Sequence, residues 1–217
     1  MKPTHLVLLL GLGIAGCQAD PATTVPGATD ATAPITTTAA DLPSPPEATS
    51  ASHDALDSAT PLAVGAQAPG FTAKAWLAGK PQSFTLAKAL ESGPVVLYFF
   101  PAAFTPGCNI EARAFSEAID RFRASGATVI GITAGNADQL QAFSSDNSTC
   151  SGRFAVAADP GAEVARSYGA LLASRPEWSS RTSFVIARDG RIAAVHSDPD
   201  PSRHVERMLE GVAALQP

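Results

Sequence analysis

Three cysteines, none in a Cys-x-x-Cys pair, set the chemical possibilities of this 217-residue chain. Cys108 closes the segment Pro101-Ala-Ala-Phe-Thr105-Pro-Gly-Cys108, directly after the apolar run Pro94-Val-Val-Leu-Tyr-Phe-Phe100. That run reads as a strand buried on both faces. From Cys108 to Ser125, Ile110, Phe115, Ile119 and Phe122 recur at helical spacing until Gly126 ends the pattern. Cys108 therefore falls in the first turn of a helix, at the C-terminal edge of a strand, where open α/β folds carry their sites. Unpaired N–H groups and the positive helix end stabilise a thiolate there, which is the nucleophilic form of the residue. Thr105 offers a hydroxyl to the sulfur or to a bound oxygen, and Pro101 walls one side without adding a donor. Position alone leaves two readings open: an activated thiolate, or the inert buried thiol that most free cysteines are.

The elements that must hold this cysteine follow along the chain. Ala127–Thr133 reads as a second buried strand, and Asn136 can cap a helix with Leu140 and Phe143 on one face. Phe154–Ala157 is a short strand, and Asp159-Pro160 opens a helix running to Tyr168-Gly169. Thr182–Ala187 and Arg191–His196 alternate about Arg188-Asp-Gly190 as a hairpin, and a last helix runs from about Ser202 to Ala214. The fold class is α/β, a central mixed β-sheet flanked by helices, and the order resembles a thioredoxin-like fold over residues 61–217.

The charge is unevenly placed. Residues 18–60 hold six acidic side chains and no Lys or Arg, whereas residues 61–217 carry 14 of each sign, so the net −5 belongs to the N-terminal part. All 14 aromatics lie at or after Phe71. This balance excludes a strongly basic nucleic-acid binder, and three cysteines exclude a disulfide-dense mini-protein. Ala, Thr, Pro and Ser fill 30 of the 43 positions from 18 to 60, which predicts a disordered tether over 17–60. Before it, Lys2 and the apolar run Leu6–Ala15 form a signal-peptide pattern over 1–16, too short to span a bilayer. Ile14-Ala-Gly-Cys17 resembles the bacterial lipobox, which implies lipidation of Cys17 and a membrane anchor facing the periplasm. Gln18 in place of Asp points to the outer membrane.

Pro-x-x-x-Thr-x-x-Cys after a VVLYFF strand resembles the active-site signature of the peroxiredoxins. Thr105-Pro-Gly-Cys-Asn-Ile-Glu111, Ile130-Gly-Ile-Thr133 and Arg181-Thr-Ser-Phe-Val-Ile186 are similar to the bacterioferritin-comigratory, or Q, type, and Val64–Phe71 looks like the family's opening. The resemblance implies a thiol peroxidase without metal or other cofactor. Cys108 would attack the hydroperoxide, Thr105 would hydrogen-bond sulfur and peroxide, and Pro101 would shield the product. Arg181 would stabilise the thiolate and the O–O bond, and Glu111 would orient Arg181. Without the resemblance, Arg181 and Glu111 read as a surface ion pair.

One departure matters. Many members of this type carry a resolving cysteine five residues after the first, where this chain has Arg113. The other domain thiol, Cys150, sits in Asn147-Ser-Thr-Cys-Ser-Gly152, which reads as a mobile loop. The resemblance makes Cys150 the resolving residue of an atypical two-Cys enzyme, with a bystander cysteine as the other reading. The implied partners are a hydroperoxide and a dithiol protein or small thiol, with a monomer expected and a dimer through the exposed edge as the other possibility. A periplasmic thiol–disulfide oxidoreductase lacks its second cysteine here, and a copper-binding module lacks paired cysteines. His196 and His204 read as surface residues, and Trp76 and Trp178 as packing or rim groups.

Overall fold

The computed structural model describes residues 60–216. The predicted signal peptide, the lipidation site Cys17 and the tether up to residue 59 lie outside the described residues. Among the described residues, no helix is long and apolar enough to cross a membrane.

At the centre of the fold is β3 (Val95–Phe99), every residue of which is buried. Alternation sends Val96 and Tyr98 into one apolar cluster and Val95, Leu97 and Phe99 into another on the opposite face. Parallel to β3 runs β4 (Thr128–Thr133), and parallel to β4 runs β5 (Ala155–Ala158). On the other side of β3, antiparallel β8 (Thr182–Ile186) pairs with β9 (Ile192–Ser197). The hairpin of β1 (Thr72–Leu77) and β2 (Lys80–Thr85) completes a seven-stranded mixed sheet in the order β2-β1-β5-β4-β3-β8-β9. A separate two-stranded ribbon, β6 (Leu171–Leu172) and β7 (Arg175–Ser179), follows the fourth helix.

Helix α1 (Leu86–Ser92) precedes β3, and α2 (Pro106–Ala124) follows it. With α5 (His204–Ala213), α2 packs on the Val96/Tyr98 face, where Phe115, Phe122, Met208 and Val212 are fully buried. Short helices α3 (Leu140–Ser145) and α4 (Glu163–Ser167) complete the cover. This is the α/β, thioredoxin-like arrangement expected from the strand and helix order.

Three elements differ from expectation. The β1–β2 hairpin is an edge whose outer strand reads KPQSFT, polar and with a proline, so it carries no buried-strand signal. The helix after Asp159 is broken: Pro160–Ala162 is a single 3₁₀ turn in which Gly161 (φ 80°) and Ala162 (φ 56°) are left-handed, and α4 starts only at Glu163. At the C-terminal end, Pro201–Arg203 forms a 3₁₀ turn before α5 begins at His204.

Candidate active site

The end of β3 delivers the chain into the Pro101–Thr105 loop, and Pro106 starts α2 at the position where a missing N–H costs nothing. Cys108 is the third residue of this 19-residue helix and is 1% exposed. Helix geometry leaves the N–H groups of Gly107 and Cys108 without intrahelical acceptors, since Asn109 is the first to bond back, to the Thr105 carbonyl at 2.9 Å. Sulfur, free donors and the positive helix end therefore coincide.

Arg181 enters just before β8. Its Nη2 donates to Cys108 Sγ at 3.6 Å, its Nη1 donates to Glu111 Oε2, and its Nε donates to the Pro199 carbonyl at 2.9 Å. The guanidinium is thus held on three edges and is almost entirely buried. Gly107 makes this approach possible: a Cβ there would lie 2.8 Å from Arg181 Nη2.

Glu111 sits one turn after Cys108 and is fully buried. Its exclusion from water pushes its carboxyl up to about 8, against the pull of Arg181. The opposite tendency acts on Arg181: burial disfavours its charge, but Glu111 and Cys108 outweigh that and raise it. The two partners conflict over charge on Glu111. Because one carboxyl oxygen, Oε1, has no hydrogen-bond partner, the upward direction for Glu111 is the one the geometry supports.

The loop before the cysteine is pinned from the neighbouring strand. Asn136 Oδ1 accepts from the Ala103 N–H at 2.6 Å, and its Nδ2 donates to the Ala103 carbonyl at 2.9 Å. Thr133 Oγ1 donates to the Pro101 carbonyl at 2.9 Å and accepts from Gly135 N–H at 3.1 Å. A side chain at Gly135 would collide with that same Pro101 carbonyl. Between these clamps Phe104 adopts φ 60°, an uncommon conformation for a bulky residue. It is held edge-on against Phe143 at 5.3 Å between ring centroids. The Thr105 hydroxyl donates to the Ala102 carbonyl at 3.0 Å, so its lone pairs stay available to accept a proton donor entering the site.

A profile of the AhpC/TSA family matches residues 64–195, more than half the chain. The chain belongs to that family and is a peroxiredoxin. It is similar to chloroplastic peroxiredoxin Q of Sedum lineare, 30% identical over 156 residues that cover 70% of this chain and 78% of that protein. Against chloroplastic peroxiredoxin Q of Arabidopsis thaliana it is 32% identical over 154 residues, 69% of this chain and 67% of that one. The match to peroxiredoxin Q of Suaeda salsa spans only 56% of that relative. Among solved structures, peroxidoxin BcpB from Mycobacterium tuberculosis superposes with a TM-score of 0.61 at 28% identity, covering 71% of this chain and 98% of that one. AhpC of the same organism shares the fold at a TM-score of 0.61 and 24% identity over 72% of this chain and 94% of its own. This peroxiredoxin is a thiol-dependent peroxidase with a mixed central sheet.

Of the residues singled out in the sequence, the peroxiredoxin brings Cys108, Arg181 and Glu111 into one hydrogen-bonded chain, with Thr105 and Pro101 on the adjoining loop. The sulfur's partner is Arg181, whereas the Thr105 hydroxyl turns to a backbone carbonyl. The Arg181–Glu111 pair is buried, not the surface pair that the residues alone suggest. Cys150 is also not in a mobile loop. It is fully buried in the same cluster as Cys108, its carbonyl accepts from Ser116 Oγ at 3.1 Å, and Thr149 Oγ1 donates to the Phe143 carbonyl at 2.6 Å. Burial pushes the Cys150 thiol well up, far from the thiolate form. His204 is likewise no surface residue. It is fully buried, and His196 is half-buried against it at 4.6 Å between ring centroids. Trp76 and Trp178 are half-buried packing groups, Trp178 lying under the Arg175 guanidinium at 4.7 Å. Asn136 does not cap a helix with its side chain. Among the described residues, no three His, Cys, Asp or Glu side chains converge as metal ligands.

Proposed function

We infer that Cys108 is the peroxide-reactive residue, and the observation carrying this is the fixed Arg181 guanidinium on its sulfur at a helix N-terminus. The thiolate attacks the terminal oxygen of a hydroperoxide. An S–O bond forms as the O–O bond breaks, the electron pair leaves on the departing oxygen, and a proton taken up there releases water or alcohol. Positive charge at Arg181 and the free N–H groups of the first turn lie where negative charge develops on the oxygens. Thr105 accepts the hydroperoxide proton donor, and half-buried Pro101 limits water around the product. Glu111 holds Arg181 in line.

Cys150 is the resolving residue in this reading. Its thiolate attacks the sulfenic sulfur, an S–S bond forms, and hydroxide leaves with a proton as water; an external dithiol then reduces the disulfide. Both cysteines face one cluster with Tyr98, Phe115 and Phe143, so the pairing requires the 146–153 turn to detach from Ser116 and release its buried thiol. The N-terminal sequence supports a lipid on Cys17 and a periplasm-facing membrane location. Exposed Phe104 and Ile110 beside the site suit organic hydroperoxides as well as hydrogen peroxide. Cys108→Ser should abolish peroxide consumption; full activity in that variant overturns the assignment. In Cys150→Ser, one equivalent of peroxide should leave a stable sulfenate, and an unchanged disulfide yield removes Cys150 from the cycle.

A further inference from the structure

One guanidinium serves two acids in this site. Arg181 contacts Cys108 and Glu111 through separate nitrogens and gives its remaining edge to a carbonyl, so it supplies a single positive charge. With both acids ionised, the cluster would hold an unbalanced negative charge where Cys108 is 1% and Glu111 0% exposed. An uncompensated charge in such a place is strongly unfavourable. One proton on the cluster removes it.

The structure shows where that proton can sit. Glu111 Oε1 has no hydrogen-bond partner and lies 3.3 Å from Nδ1 of His204. His204 Nε2 faces the Asp198 carbonyl at 3.0 Å, which can only accept, so Nε2 carries a hydrogen. Its Nδ1 faces Ser183 Oγ at 2.8 Å and the unpartnered carboxyl oxygen. The Ser183 hydroxyl can donate to Nδ1, but without a proton between the pair the carboxylate oxygen Oε1 faces the lone-pair edge of the ring with no donor of its own in a dry core.

We propose that Glu111 and His204 hold one proton between them while Cys108 is a thiolate and release it when the thiolate is consumed, so that His204 positions the charge of Arg181 on the sulfur. Oxidation of the thiolate takes up one proton at the leaving oxygen, and the pair gives one up. Arg181 then balances the Glu111 carboxylate, and the buried cluster is neutral in both states.

The surrounding groups are consistent with one proton resting on the carboxyl. Glu111 is faced by Arg181, Tyr98 and His204. Around His204 lie Ser183, Asp198, His196 and Arg181, with Asp200 and Arg203 at the start of its helix and Arg207 beside His196. Burial pushes His204 down to about 4, with His196 and Arg181 adding to the effect and the Asp198 carbonyl opposing it.

The proposal rests on Cys108 being the reactive thiolate, and its test uses no peroxide in its first arm. Ultraviolet thiolate absorbance of the full chain, read as the difference from Cys108→Ser, gives the Cys108 ionisation midpoint. His204→Gln removes the ring nitrogen that faces the carboxyl proton and puts an amide N–H donor there, which favours the Glu111 carboxylate; Glu111 then competes for Arg181, so the midpoint should rise by about one pH unit, about a tenfold loss of thiolate below it. In the Glu111→Gln background the same substitution should shift it by less than about a third of that. Equal shifts in both backgrounds, or an unmoved midpoint with a lowered melting temperature, make His204 merely structural and overturn the proposal. His204→Asn replaces the Gln variant if that one does not fold. In the unsubstituted protein, the ¹⁵N resonance of His204 Nδ1 should move when one equivalent of peroxide oxidises Cys108, and a stationary resonance on oxidised protein is also contrary. Failure of Cys108 to oxidise at all strikes the underlying reading instead.

Discussion

Removing the Asn136 side chain tests how far the reactive loop depends on the segment that follows β4. Asn136 satisfies both backbone groups of Ala103, a residue 2% exposed, through contacts of 2.6 and 2.9 Å. In Asn136→Ala, an N–H and a carbonyl lose their partners. Each orphaned backbone group costs about 1–3 kcal/mol when dry. Asn136 itself is half-buried, so water can enter the space and the pair together should cost about 2–3 kcal/mol. The loss also loosens the left-handed Phe104, whose conformation stores about 1 kcal/mol and persists because its flanks are fixed. Thr105 and the start of α2 would then shift relative to Arg181. Misplacement of this size lowers peroxide reactivity by about tenfold or more. Urea unfolding followed by Trp76 and Trp178 fluorescence gives the stability, and stopped-flow oxidation with limiting peroxide gives the rate. A stability change under about 0.5 kcal/mol with an unaltered rate refutes the clamp.

Further outcomes follow from the same geometry. Gly107→Ala should cut the peroxide rate about tenfold as its Cβ displaces the Arg181 guanidinium, and the disturbed buried pair with Glu111 should outweigh the gain of about 1 kcal/mol that alanine brings to a helix; an unchanged rate contradicts the close approach. Glu111, raised to about 8, and His204, lowered to about 4, together bind one proton in the folded chain at neutral pH, whereas the unfolded chain loses its own above about 6.5. Stability should therefore fall by about 1–2 kcal/mol from pH 6.5 to 8, and Glu111→Gln should flatten that fall; parallel profiles from denaturant titrations argue against a bound proton. Cys17→Ala should abolish labelled palmitate incorporation and move the protein out of the membrane fraction in bacterial cells; retention of label sinks the anchor.

The buried strand Val95–Phe99 and the helix behind it are legible in the sequence because local patterning decides both, and they suffice to place Cys108. What the sequence hides is long-range satisfaction of polar groups. Asn136 reads equally as a helix cap or as a backbone clamp, since both use the same amide, and only the approach of Ala103 from 33 residues away decides between them. Cys150 is flanked by serine and glycine, the composition of a loop, yet Ser116 on α2 ties it down. His204 is different. His204, Met208 and Val212 recur four apart and form the buried stripe of α5, so its burial was readable from helical spacing. Gly107 carries no local signal, because its need is set by an arginine that arrives much later in the chain.

Cys108 as the site of peroxide attack is tested most directly by intact-mass and peptide mass spectrometry of the reduced protein after sub-stoichiometric peroxide. The expected result is one oxygen or one disulfide on the Cys108 peptide, in proportion to the peroxide added, with Cys108→Ser consuming none. Oxidation confined to Cys150, or undiminished peroxide consumption by Cys108→Ser, would contradict it.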